Sequence, residues 1–520
     1  MKIKSLWISE YKNIKNLHLD FKSNLISLLV GKNGLGKSNL IEALAIIFRD
    51  LDLLKSKEDF ENWSYENFEY DLLYVCYNSE IRVLCRKGSF QVWRKLNGAA
   101  ELPSEVSFRK FNNLKHEVYL PKYIIGYYSG ENKRIRDVIR PYEEQVWKDL
   151  KNNKGLENDL RRLFFSENYH SQMILLTLLL YKDQNENPIF QERVAYLIEN
   201  FTSFNSLAEV SLELKSPLWY NPGERKHSNK GINLLEENLL RGVEFPFWDI
   251  KRRADKIISF LYNNTISDPI YYLEEEIFQE KIELNNIDLK KVSSEIPFQF
   301  DSAMHFFGAF ETLKQIDVIF NVILKVKSLR SGSVFDFTQL SEGEAQLITV
   351  LGLILITGNE ECLFLLDEPD THLNPQWQRE YVDLIDRFTL DNMNSHIIVA
   401  THSPLIVQAA EKADIFLYKL DDDGQIVVKN EDFTVQNWRI DQVLTSEYFD
   451  LHSARPAHLD YYMSLREKIL TQGNISADIE KELKNLENEY GVLPTGETRD
   501  EIEAMLLINN IVKRYNDKTA

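Results

Sequence analysis

Four short segments carry residues that could do chemistry together. The first, Gly31-Lys-Asn-Gly-Leu-Gly36-Lys37-Ser38, fits G-x-x-x-x-G-K-[ST], with an apolar strand pattern before it (24–30) and helical spacing after it (39–48). Such a loop curls so that several backbone N–H groups face one phosphate chain, and the following helix start adds partial positive charge. Lys37 would reach the β- and γ-phosphates and the Ser38 hydroxyl would ligate Mg²⁺. The second segment, 361–369, is an apolar run ending in Asp367, Glu368 and Pro369. Asp367 suits Mg²⁺, and Glu368 suits orienting or deprotonating an attacking water.

The third, Leu340-Ser341-Glu342-Gly343-Glu344, opens an apolar helix and makes a second anion site from a hydroxyl, backbone N–H groups and a helix dipole. Two phosphate sites so far apart either serve one nucleotide in one molecule or complete each other between two molecules. The fourth, 395–404, is a buried strand running into Thr401-His402-Ser403-Pro404, where His402 could reach a γ-phosphate. Between the second and fourth lies His372, which is open to two roles: touching a second subunit or capping the next helix.

These segments need strands and helices to hold them. Pairing is expected for 2–10 with 14–21, and a meander for 70–77, 80–86 and 90–95. A further strand is expected within 119–128. From 138 to 267 the pattern reads helical, with a Pro/Gly/Asn-rich loop at 217–233. Strand character returns at 270–296, a long amphipathic helix follows at 303–326, and 335–419 reads strand–helix–strand. The tail from 458 reads as three helices, the last opened by a Thr498/Glu501 capping box. Asp421–Asp423 before Gly424 reads as a hairpin turn.

Composition narrows the classes. The chain has 520 residues, 44% of them hydrophobic, and a formal charge of −19. That balance excludes holding nucleic acid by bulk positive charge. Lys and Arg do cluster at 133–140 and 251–256, which solvated helix faces explain. Three cysteines, Cys76, Cys85 and Cys362, are too few for a disulfide framework or a zinc cluster, so a reducing, cytoplasmic setting is expected. The longest apolar run, 347–357, falls short of the ~20 residues a bilayer crossing needs, so no membrane partner is expected.

Taken together, GKNGLGKSN, LSEGE, FLLDEPDTHLNP and THSP resemble the ABC-type ATPases of the SMC/RecF/OLD group. The resemblance is strong over about 1–50 and 335–420. It implies an α/β fold: an ABC-type P-loop ATPase head with a helical insertion and a helical C-terminal tail. Two heads would form a homodimer, with higher oligomers open, around ATP and Mg²⁺. By position, Gly31, Asn33, Gly34, Gly36, Lys37, Ser38 and Asn39 carry over as the nucleotide loop, and Ser38 and Asp367 as the metal pair. Ser341, Gly343 and Glu344 carry over as the signature that acts in trans. Glu368 and His402 carry over as the water-positioning and switch residues. The lobe-linking glutamine has no obvious counterpart; 127–134 occupies its region.

The implied domains are 1–136 and 331–430 as ATPase lobes, 137–330 as a compact cap rather than a long coiled-coil arm, and 431–520 as a tail that could dock a partner. No Glu-bearing strand with room for a nuclease fold follows His402, so an OLD-like nuclease is not expected. What remains resembles the stand-alone ATPases of bacterial anti-phage defence, the Septu ATPases among them, which work with a separate HNH nuclease. A RecF/SMC-like repair ATPase that binds DNA or RNA is the competing expectation.

Overall fold

A computed structural model describes residues 1–490 apart from 23–24, 57, 59–67, 88, 99–101, 131–133, 152–160, 185–186, 218–246, 251–252, 275–278, 359, 390–393, 432–434, 436–437, 452 and 473–476, together with 502–508. The chain forms two compact units, 1–436 and 437–520.

The first unit is built on a seven-stranded sheet. Its order is Ile426–Glu431, Ala413–Leu420, Ile26–Gly31, Ser395–Ala400, Cys362–Asp367, Tyr123–Tyr128 and Leu163–Ser166. All neighbours are parallel except the Ala413–Leu420/Ile426–Glu431 hairpin. Every residue of the strands Ile26–Gly31, Cys362–Asp367 and Ser395–Ala400 is buried. Parallel strands covered on both faces read as unbroken apolar runs, which is why these three are visible in the sequence. The parallel register puts Asp367 level with Ala400 on one side and Tyr128 on the other, so the carboxyl ends of these strands share one edge. Ligands of open α/β sheets bind at that edge.

A six-stranded antiparallel sheet packs beside it, in the order Ile14–Asp20, Lys2–Tyr11, Tyr70–Cys76, Ser79–Arg86, Ser89–Leu96 and Ser104–Val106. One core joins the two sheets through helix Lys37–Leu53, with Leu6, Ile8, Leu40, Leu44, Phe48, Leu72 and Leu365 all buried in it. The expected hairpin and meander are both present. So is the turn at 421–424, where the Asp421 carboxylate accepts from the N–H groups of Asp423 and Gln425.

The insertion differs from expectation. The 138–267 stretch does contain helices Arg134–Lys151, His170–Tyr181, Pro188–Phe201 and Arg253–Asn263. It also contains the strand Leu163–Ser166, which joins the central sheet, and the twelve-residue strand Phe204–Lys215. The latter centres a five-stranded antiparallel sheet with Ile270–Glu274, Gln279–Leu284, Ile319–Ser328 and Val334–Asp336. Val210, Leu212 and Leu214 recur every second residue and are buried, a period-2 signal hidden behind the helix Pro188–Phe201.

Two further readings are corrected. Residues 289–299 are helical, opened by Asp288, whose side chain accepts from the Lys291 N–H. The long helix expected at 303–326 stops at Gln315. Asp317 there adopts φ 60°, and the β-branched run that follows becomes the strand Ile319–Ser328.

In the second unit, helices Asp460–Gln472 and Ala477–Tyr490 share a small core around Tyr462, Ile469 and Leu483. The Thr498/Glu501 capping box lies outside the described residues, as do 218–233 of the expected loop and Lys133, Lys251 and Arg252 of the basic clusters. Among the described residues, no helix is long and apolar enough to cross a membrane.

Candidate functional site

The phosphate loop follows from strand Ile26–Gly31 and ends at Gly36, the left-handed N-cap (φ 91°) of helix Lys37–Leu53. Gly31 has φ 143°, and a Cβ there would meet the Tyr418 carbonyl oxygen at 2.5 Å, so the loop leaves the sheet where only glycine fits. Asn33 and Gly34 are exposed at its crest. Lys37 folds back over the loop and donates to the carbonyls of Gly31 (2.7 Å) and Lys32 (3.0 Å). Burial lowers its pKa to about 8, opposed by Glu368 and Asp367.

The acidic strand end meets this loop from the neighbouring strands. Ser38 Oγ donates to Asp367 Oδ1 at 3.1 Å. Asp367 is 1% exposed, and its Oδ2 has no hydrogen-bond partner among the described residues. Burial raises its pKa to about 7; the Ser38 bond opposes the shift, and Glu368 adds to it. An orphaned buried carboxylate oxygen beside a hydroxyl fits a hard divalent cation. Ser38 and Asp367 would supply two protein oxygens to such a cation, the rest of its shell being left to phosphate and water.

Glu368 sits at φ 50°, an uncommon backbone for a non-glycine residue. Its N–H donates to the Ala400 carbonyl (2.8 Å), and its carbonyl accepts from Thr371 Oγ1 (3.0 Å). Held at both ends, the residue projects its carboxylate out of the strand line, 3.5 Å from His402 Nε2. His402 Nδ1 lies 3.5 Å from Lys37 Nζ. Burial and then Lys37 lower its pKa to about 4, so the ring is neutral. A lysine facing Nδ1 leaves the ring proton on Nε2, facing Glu368. Ser403 donates to Gln378 Oε1 (2.8 Å), and Gln378 Nε2 donates to the carbonyls of Asp370 and Leu373, tying the two loops together.

The 31–38 glycine loop, the Ser38–Asp367 pair, the Glu368 carboxylate and a neutral His402 converge on one sheet edge. The family model described as AAA ATPase domain matches residues 1–407. The chain belongs to that family, and it is an ATPase. It is 36% identical to the Septu protein PtuA of Bacillus thuringiensis over 87 residues, 16% of this chain and 21% of PtuA. It is 18% identical to the Retron Vc95 probable ATPase of Vibrio cholerae serotype O1 biovar El Tor over 445 residues, 80% of this chain and 73% of that protein. Among solved structures, the SMC head domain from Thermotoga maritima aligns with 83% of this chain and 100% of its own, at 12% identity and a TM-score of 0.33.

The remaining expected residues of this ATPase lie at the start of helix Glu342–Thr357. Ser341 is its N-cap, and Glu344 closes a capping box. The Ser341 hydroxyl accepts from the Glu344 N–H (3.3 Å) and donates to its carboxylate (2.8 Å), which also accepts from the Ser341 N–H (2.9 Å). Among the described residues, no hydrogen bond joins Ser341 to 31–39. Gly343 packs on the His372 carbonyl, 2.7 Å from where a Cβ would be. His372 Nδ1 lies 2.8 Å from Glu342 Oε2. The next helix, Pro375–Phe388, is instead capped by Asn374, which corrects the capping role considered for His372.

The 127–134 stretch holds no glutamine. Its described part touches the acidic strand end, with Ser129 Oγ 3.1 Å from Thr371 Oγ1.

Asn13 is absent from the residues the sequence singles out. It sits at the tip of the first hairpin, donates to the Gly34 carbonyl (2.7 Å) and accepts from Asn39 Nδ2. Next to it Tyr11 and Lys12 both bond the buried Glu42 of helix Lys37–Leu53. Turn residues signal the hairpin, but no local pattern says that its tip reaches a loop twenty residues on.

Proposed function

We propose that two copies of this ATPase close around two ATP molecules, each supplying Ser341 to the phosphate held by the other's 31–39 loop. The nucleotide state then governs a separate HNH-type nuclease in cytoplasmic anti-phage defence. Within this reading 1–136 and 331–430 are the nucleotide lobes, 137–330 is the cap and 431–520 docks the nuclease. The observation that carries the dimer is a division of the site. Lys37, Ser38, Asp367, Glu368 and His402 converge in one subunit, whereas the Ser341 hydroxyl bonds Glu344. The resemblance to relatives named for Septu and retron systems supports the defence role.

The roles follow from charge. Moving a γ-phosphoryl group to water spreads negative charge over its equatorial oxygens. Lys37 and the loop N–H groups bind and orient the triphosphate; Ser38 and Asp367 would hold Mg²⁺, which would supply neutralisation of phosphate charge. Glu368 aims the attacking water and accepts its proton, while the His402 Nε2–H donates toward the developing charge. Ser341 from the facing subunit leaves its capping box to add a further donor, so turnover waits for closure.

Complementation tests the arrangement. Ser341→Arg and Lys37→Ala are each inactive alone. In an equal mixture half the dimers are mixed and each has one intact site of two, so ATPase activity recovers to about a quarter of the parent rate. A mixture as inactive as its components would defeat the trans assignment. Co-expression with an HNH-type nuclease, followed by an ATP-dependent nucleic-acid cleavage assay, tests the partner; DNA-stimulated turnover without any nuclease would favour the repair reading.

A further inference from the structure

Behind Glu368 lies a cavity of about 600 Å³, a volume typical of small-molecule sites. It is bounded by the first turns of helix Glu342–Thr357, by 127–130 and by 166–172; no residue of the 31–39 loop lines it. Gln346 lines it. This side chain is 2% exposed, and neither its amide nitrogen nor its amide oxygen has a partner among the described residues. Ser166 Oγ on the same wall is also buried without a partner there.

A buried, unsatisfied carboxamide costs stability unless something outside the chain completes it. Its edge presents one donor beside one acceptor, the pair that matches an adenine edge. Tyr127, Tyr169 and Phe337 supply aromatic surface against which a planar ring packs. The carboxylates on the wall are Glu167, Glu342 and Glu368; among the described residues that line it there is no lysine or arginine. Phosphates are therefore repelled, and a neutral ligand is admitted.

We propose that this cavity binds a neutral purine nucleoside, with the base held by the Gln346 carboxamide. Its occupant would touch Glu368 and the start of the 342–357 helix together, and so would alter ATP turnover. The binding claim itself does not rest on the roles proposed for Glu368 and Ser341.

The test is isothermal titration of adenosine into the full-length protein, with the nucleotide sites saturated by Mg²⁺ and a non-hydrolysable ATP analogue. One adenosine should bind per chain, and uridine should bind at least tenfold more weakly. Gln346→Leu should weaken adenosine at least tenfold with the analogue's affinity unchanged, because a site built for hydrogen bonds rejects a ligand it cannot pair. Without adenosine the same variant should melt higher than the parent, since it replaces an unpaired amide by an apolar side chain of similar size. Thr338→Trp, at an exposed position on the rim, should block adenosine and leave folding intact. The proposal is overturned by any of three results: no saturable adenosine binding, parent-like binding by Gln346→Leu, or a lower melting temperature for that variant.

Discussion

Replacing Asp367 by Asn should stabilise the protein while ending its catalysis. The carboxyl is 1% exposed, one of its oxygens has no partner, and burial raises its pKa from 3.8 to about 7. A raised carboxyl pKa means that folding disfavours the charged form. Stability is therefore fully present below about pH 4 and is lost as pH rises through about 7. At about 1.4 kcal/mol per pKa unit the ionised group costs the fold ~4 kcal/mol at most above pH 7. Between about pH 5 and pH 7.5 the change is about 2–3 kcal/mol.

Asn keeps the carbonyl that accepts from Ser38 and removes the charge. In EDTA, without nucleotide, Asp367→Asn should melt about 3–5 °C above the parent at about pH 7.5, and the gap should shrink toward about pH 5. Taking the difference between the two proteins cancels His402, whose depressed pKa of about 4 gives stability that rises with pH over about 4–6.5. With Mg²⁺ and an ATP analogue the order should reverse, because only the parent gains the metal-dependent rise. Differential scanning fluorimetry over this pH range reads all of it. A variant that melts lower at every pH, or a gap that widens on acidification, would refute the reasoning.

Glu368→Gln should bind ATP as the parent does, lose at least a hundredfold in turnover, and elute with ATP at twice the monomer mass in light scattering. Gly31→Ala should abolish ATP-analogue binding by isothermal titration and lower stability by about 1–3 kcal/mol, since a Cβ would lie 2.5 Å from the Tyr418 carbonyl. Arg161 is 2% exposed and pairs with Glu143 and the buried Glu311. Arg161→Met should cost about 3–5 kcal/mol in urea denaturation, and adding Glu311→Met should recover much of the loss, because it removes the carboxylate left stranded.

The glycine loop and the acidic strand end were readable because their physics is local. A buried parallel strand is a short apolar run, a glycine loop must follow it, and Asp367 and Glu368 close another such run. The hairpin turn at 421–424 was legible for the same reason. What the sequence hid was set by tertiary partners. Phe204–Lys215 is a strand because Gln279–Leu284 and Ile319–Ser328 flank it, although the helix Pro188–Phe201 precedes it in sequence. The 303–326 pattern continues apolar across Asp317, where a single left-handed residue changes helix into strand. Asn13 acts on Gly34 across a hairpin, and His372 acts on Glu342 across two loops. No spacing rule links such pairs.

Strand Ile26–Gly31 lies between Ser395–Ala400 and Ala413–Leu420, with Ile26 opposite both Ile397 and Ala413. The segment that carries the 31–39 loop is thus made long before both its flanking strands. At ~5–20 residues per second, roughly 20–75 s of translation separate it from its neighbours. Throughout that interval a sticky, unpaired edge stays exposed and the enzyme has no place to hold its fuel. A chain cut short before Ser395 should therefore lack both neighbours of the loop-bearing strand and fail to hold nucleotide.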